Sequence, residues 1–186
     1  MKARSSGRRW RAAARCAAAG ALLTACSSPI HGPATAVPEA LKVPPPSALR
    51  LQARAVGVQI YVCQPGREDP SRFEWVFKAP EAQLFDRSNR AVIKHYAGPT
   101  WEANDGSAVV GEVAAKDDGP DRMAIPWLLL RAKSNSGHGI LSRIQFIQRL
   151  NTVGGKAPQG GCSAELAGSE ARVHYSAEYW FYGPRG

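Results

Sequence analysis

The chain has 186 residues, 44% hydrophobic and 21% charged, which excludes a disordered chain and leaves room for one domain with accessories around a sizeable core. Its formal charge of +9 suggests nucleic acid, but six basic residues (Lys2, Arg4, Arg8, Arg9, Arg11, Arg15) lie within 1–25, which holds no acid. The 18 basic and 15 acidic residues that remain leave +3, with no basic run interleaved with aromatics, so nucleic acid is excluded as a partner.

At the N-terminus a basic stretch precedes the short apolar run Cys16-Ala-Ala-Ala-Gly-Ala-Leu-Leu23, the form of a signal peptide over 1–25. The run is far short of the ~20 apolar residues a membrane span needs. Arg8-Arg9 lacks the apolar residues that follow a twin-arginine signal, so the general secretory route is expected. Leu23-Thr24-Ala25-Cys26 resembles the bacterial lipobox. That resemblance implies cleavage before Cys26 and a thioether-linked lipid on it; the alternative is an ordinary secretory signal with an incidental cysteine. Several acyl chains anchor stably, each buried methylene contributing about 0.8 kcal/mol. Ser27 after the cysteine resembles lipoproteins sent on to the outer membrane. The expected location is the cell envelope, facing the periplasm, with a soluble secreted or periplasmic protein as the alternative.

Residues 26–46 comprise Cys26 and a Ser, Pro, Gly and Ala rich stretch ending in Val43-Pro44-Pro45-Pro46. They read as an extended linker, or as a leader without a task. The single body is expected over 47–186.

From about residue 50 the pattern turns to period two. Val56, Val58, Ile60 and Val62 alternate with Gly57, Gln59, Tyr61 and Cys63; Phe73, Trp75 and Phe77 alternate with Glu74, Val76 and Lys78; Val173, Tyr175, Ala177, Tyr179 and Phe181 alternate with Arg172, His174, Ser176, Glu178 and Trp180. Such alternation marks strands with one buried face. Further strands are expected over 91–96, 107–114 and 125–133, with Pro126 opening a strand or lying on an edge. Asp105-Gly106 marks a hairpin, and Asp117-Asp118-Gly119-Pro120 and Ser134-Asn135-Ser136-Gly137 mark loops. Residues 140–150 fit a helical face or a strand; their β-branched content favours strand. The fold is therefore expected to be all-β: a sandwich or barrel of about eight or more short, mainly antiparallel strands.

With Cys16 removed and Cys26 lipidated, Cys63 and Cys162 remain, and two leftover thiols in an oxidising compartment pair. A metal pair would need further ligands beside each cysteine, and none is adjacent, so neither a metal nor a cofactor is expected.

Three clusters carry chemistry. His95-Tyr96-Ala97-Gly98-Pro99-Thr100-Trp101-Glu102, with Asp105, offers a base, a carboxylate and a stacking wall. Its plainer reading is a strand-end histidine and a core tryptophan. Gln148-Arg149-Leu150-Asn151-Thr152, before the glycine-rich 154–158, offers anion binding through Arg149 and backbone amides. It is not a phosphate-binding P-loop, because Lys156 is followed by Ala157; the plainer reading is a loop tied down by the disulfide. In the last strand Tyr175, Tyr179 and Phe181 are core residues first, and His174, Glu178, Trp180 and Tyr182 form the opposite face.

Several stretches together resemble one family: Gly57-Val58-Gln59-Ile60-Tyr61-Val62-Cys63, His95-Tyr96-Ala97-Gly98-Pro99-Thr100-Trp101-Glu102, Ile125-Pro126-Trp127-Leu128-Leu129, and Ile147-Gln148-Arg149-Leu150-Asn151-Thr152. Trp75 with Ala79-Pro80-Glu81-Ala82, and Tyr175-Ser176-Ala177-Glu178-Tyr179, complete the pattern. The resemblance is to domain of unknown function 3455, found in bacteria and in secreted fungal proteins, over roughly residues 38–183. It implies no established activity and no catalytic residues. A malate dehydrogenase label on some fungal relatives finds no support, since the chain has neither a dinucleotide fingerprint nor strand–helix alternation.

The leading expectation is a non-enzymatic envelope lipoprotein, membrane-bound through Cys26, that binds a small molecule, glycan or envelope protein. Its candidate contacts are His95, Tyr96, Trp101, Glu102, Arg149 and Asn151. The alternatives are a hydrolase-like enzyme using His95 with Glu102 or Asp105, and a structural envelope subunit.

Overall fold

The computed structural model describes residues 36–185; the expected signal peptide, Cys26 and the linker up to residue 35 lie outside the described residues. Eight antiparallel strands follow one another: β1 (Ala48–Pro65), β2 (Phe73–Phe85), β3 (Ala91–Tyr96), β4 (Thr100–Ala103), β5 (Ala108–Asp117), β6 (Trp127–Ser136), β7 (Phe146–Gly154) and β8 (Glu170–Gly183). Each pairs with its neighbour in sequence, and β8 returns to pair with β1, so the sheet closes into an up-and-down barrel. Closure leaves no sheet edge unpaired. Between the two architectures left open by the sequence, the barrel is the one formed.

An eight-stranded barrel has an interior just wide enough for side chains or for one small ligand. Here the inward residues of β1 are small, Ala53, Ala55 and Gly57, while larger ones enter from other strands: Leu84, Ile93, Trp101, Ile147, Tyr179 and Phe181. A Cβ added at Gly57 would stand 2.5 Å from the Cβ of Ala82, so only glycine lets β1 and β2 approach there. This inverts the face expected for β1: Val56 is exposed, whereas Gln59 and Tyr61 point inward and are buried. Apolar residues on both faces of this strand leave its phase open in the sequence, and the register shift opposite Ile60 and Tyr61 falls on β2, where Lys78 is the extra residue.

Alternate loops share an end. The loops after β2, β4 and β6 meet at one end, where residues 137–145 turn inward rather than extending a strand. Leu141 is fully buried and Ile144 is 2% exposed, both within the main core. The strand expected over 140–150 therefore begins only at Phe146. The plug is held by polar groups: Asp105 accepts from the Ile140 amide (2.8 Å), Ser107 Oγ from the Leu141 amide (3.0 Å), and the Asn135 amide donates to the Leu141 and Ile144 carbonyls.

A second apolar cluster lies outside the barrel wall. Trp127, Leu129, Leu150 and Trp180 pack under Leu41, with Val37 and Val43 against the same group. Gln148 donates to the Leu41 carbonyl (2.7 Å) and accepts from Tyr182. The expected linker is thus corrected at its C-terminal part. Residues 37–43 are docked, because Val37, Leu41 and Val43 cover apolar wall that would otherwise face water. Trp180, on the opposite face of the last strand, is buried beneath them.

Cys63 and Cys162 form the expected disulfide, with Cα atoms 5.4 Å apart. It ties the end of β1 to the loop between β7 and β8. Backbone bonds from Cys63 to Ser169 (2.9 Å) and from Gly168 to Cys63 (2.8 Å) hold the same junction.

Candidate functional site

At the end opposite the plug, the barrel keeps a cavity of about 410 Å³. Its floor is set by Trp101, Leu130 and Tyr179, its wall by Gln59, Tyr61 and Leu128, and its mouth by Phe77, Val113 and the turn at Gly98-Pro99. The size falls within the range of small-molecule pockets, as does the mixture of an apolar wall with a few polar groups. Phe77 and Val113 are more than half exposed, so the mouth itself is apolar.

Three cations line the cavity, Lys78, Lys116 and Arg149, and no carboxylate does. Lys78 is paired with Glu170 at 2.6 Å, a surface contact of little energetic weight. Arg149 points inward from β7 and is 9% exposed. Its Nε and Nη2 donate to the Pro126 carbonyl, at 3.1 and 2.8 Å. Pro126 immediately precedes β6, which places its carbonyl beside Arg149.

His95 is 3% exposed and stacks on Trp101, ring centroids 4.3 Å apart and planes 7° from parallel; Tyr179 meets both rings edge-on. Its Nδ1 lies 2.8 Å from the Thr100 carbonyl, which can only accept, so Nδ1 carries the proton and Nε2 a lone pair. Burial pushes the imidazole down to about 3, and the nearby Arg149 charge acts in the same direction. His95 is neutral at physiological pH. Close by, Trp101 Nε1, Gln59 Nε2 and the Tyr175 and Tyr179 hydroxyls are buried with no well-formed hydrogen bond to a partner among the described residues.

The family described as "Protein of unknown function (DUF3455)" matches residues 44–183. The chain belongs to this family. The match contains all eight strands of the barrel and every residue of the cavity wall, while the docked residues 37–43 precede it. The chain matches no curated protein and no solved structure.

In this DUF3455 barrel the expected site residues divide by strand face. His95, Trp101 and Arg149 come together in the cavity. Tyr96 and Glu102 do not join them; they stand on the outer face of β3 and β4, where the Tyr96 hydroxyl donates to Glu102 at 2.8 Å. Asn151 stands at the irregularity between β7 and β8, with φ of 52°, and is not part of the cavity wall.

The catalytic pair of the hydrolase alternative does not form. His95 is paired in register with Trp101, so Glu102, the next residue along, projects to the opposite face of the sheet. Asp105 is committed to the plug and to Ser107. His95 has a backbone carbonyl as its partner, not a carboxylate. The residues that sequence reasoning missed, Gln59, Tyr61, Lys78 and Lys116, reach the cavity from strands far apart in the chain.

Proposed function

We propose that this DUF3455 chain is an exported, lipid-anchored β barrel that binds a small molecule in the cavity at its loop end. The observation that carries the reading is the cavity itself. It holds about 410 Å³ inside a barrel whose other end is filled by Leu141 and Ile144, with aromatic walls and a few polar groups converging on it. A barrel that served only to pack against envelope proteins has no need of this space, since interiors are normally filled.

Anchoring would run through a lipid on Cys26, with the body in the periplasm. The lipobox-like Leu23-Thr24-Ala25-Cys26 supports this, and so does the Cys63–Cys162 disulfide, a bond that persists in oxidising compartments. Mass spectrometry of membrane extracts is expected to find a chain beginning at acylated Cys26. An unmodified chain starting elsewhere would refute the anchor.

Ligand binding is tested by thermal shift of the disulfide-bonded full chain against small apolar and aromatic molecules. A binder raises stability by about 2.7 kcal/mol at a hundred times its Kd. Leu128→Trp, which puts an indole into the cavity from its wall, is expected to abolish that shift. Equal shifts in wild type and Leu128→Trp would place binding elsewhere and overturn the proposal.

A further inference from the structure

We infer that the cavity takes a small monoanion, a carboxylate on an aromatic or otherwise apolar body, and that Arg149 reads its charge. The inference rests on the cavity being a ligand site and adds what kind of ligand it is built for.

The argument starts from an imbalance of charge. Arg149 is nine-tenths buried, yet none of the ion pairs among the described residues includes it. Two of its N–H groups share a single acceptor, the Pro126 carbonyl, and its Nη1 has no partner among the described residues. A buried cation is ordinarily compensated by a nearby anion, because removal from water penalises a charge far more than one carbonyl dipole offsets. The surroundings supply no such anion. His95 is neutral and presents a lone pair at Nε2, and the lining contains no Asp or Glu.

The missing negative charge is therefore left for the ligand. A guanidinium presents its donors as a planar fork, the geometry that a carboxylate accepts with two oxygens. One buried arginine matches one negative charge; a phosphate dianion would need more donors than Arg149 has free. The rest of the wall fixes the body of the ligand. Tyr61, Trp101, Leu128, Leu130 and Tyr179 offer apolar and ring surface, so the anion must carry an apolar portion to fill the space. At the mouth Lys116 has no ion-pair partner among the described residues, and its positive charge draws anions inward, while the charge of Lys78 is matched by Glu170.

Isothermal titration of the full chain, disulfide intact, with benzoate, 2-naphthoate and indole-3-acetate against their neutral amides tests this. At least one acid is expected to bind at least tenfold more tightly than its amide. Arg149→Gln keeps a donor for the Pro126 carbonyl and is expected to bring that ratio close to one, with amide binding retained. Leu128→Trp is expected to remove acid binding, and acid binding that survives it would belong to exposed lysines and overturn the inference. Should Arg149→Gln fail to fold, the wild-type ratio decides alone. Amides binding as tightly as acids would overturn the charge assignment and leave the cavity as a site for neutral molecules. If neither acids nor amides bind, the anion reading falls together with the ligand site.

Discussion

His95 is the residue whose burial has the plainest thermodynamic consequence. In the unfolded chain an imidazole titrates near 6.5; in the barrel, sealed against Trp101 and facing the Arg149 charge, it titrates near 3. Between those values the unfolded chain binds one more proton than the native one, so stability rises with pH across the window and is lost as pH falls below about 6.5. The loss approaches about 1.4 kcal/mol per pH unit, or about 2 kcal/mol by pH 5, where most carboxylates are still charged. Urea unfolding at pH 7.5 and pH 5 is expected to show that loss in wild type and most of it gone in His95→Gln. A wild-type free energy that stays flat over this range would mean that the imidazole protonates freely inside the fold. At this scale part of the site was legible: His95, Trp101 and Arg149 stood out because each lies in a dense local cluster. Tyr96 and Glu102 stood out for the same reason and face the other way, because adjacent strand residues alternate sides. Gln59, Tyr61 and Lys116 sit in unremarkable sequence and gain meaning only when the barrel closes.

Among the elements, bulges and the plug decide where side chains go. Strand positions could be read from β-branched and aromatic alternation, and 91–96 and the Asp105-Gly106 turn agree with the observed β3 and the β4–β5 hairpin. Phase was harder. The shift opposite Ile60 and Tyr61 inserts Lys78 as an extra residue in β2, and the one between Val113 and Ala115 inserts an extra residue in β5; these swap the inward face part-way along β2 and β5 and bring Lys78 and Lys116 to the cavity. No local pattern marks such a shift, since it depends on the partner strand. The plug stretch reads as strand because Ile140 and Ile144 are β-branched; the burial of Leu141 and Ile144 comes from a turn held by Asn135 close by and by Asp105 and Ser107, residues distant in sequence. Leu141→Ala is expected to cost roughly 3 kcal/mol through lost burial and the cavity left behind, measured by chemical denaturation. Ile140→Ala, at a side chain 46% exposed, is expected to cost well under 1 kcal/mol. Similar costs at both positions would mean that 137–145 does not plug the barrel.

For the molecule as a whole, closure depends on the most distant pairing in the chain. β1 and β8 meet along their lengths, from Ala48 beside Gly183 to Val62 beside Glu170. Bringing such remote segments together is opposed by loop entropy, which no local sequence signal reveals, and this is why a barrel and a sandwich were equally compatible with the strand pattern. The disulfide acts on the same term. It joins residues 99 apart and spans most of the barrel, so it removes many extended states from the unfolded chain. The chain-entropy account puts a loop of that length at about 4.7 kcal/mol, and measured bridges more often contribute about 2–4 kcal/mol. The native junction has other ties: the Cys63 and Gly168 backbone bonds, the Trp75 indole on the Gly160 carbonyl (2.9 Å) and the Tyr61 hydroxyl on the Gly155 carbonyl (2.6 Å). The double variant Cys63→Ala, Cys162→Ala is therefore expected to be about 3 kcal/mol less stable in denaturant but still folded at 25 °C, since small domains hold about 5–15 kcal/mol. Because those ties also position Tyr61, ligand affinity in the cavity is expected to change by less than about threefold. A large loss of affinity at unchanged stability would reverse this assignment, making the bridge a device that shapes the cavity mouth rather than one that limits the unfolded state.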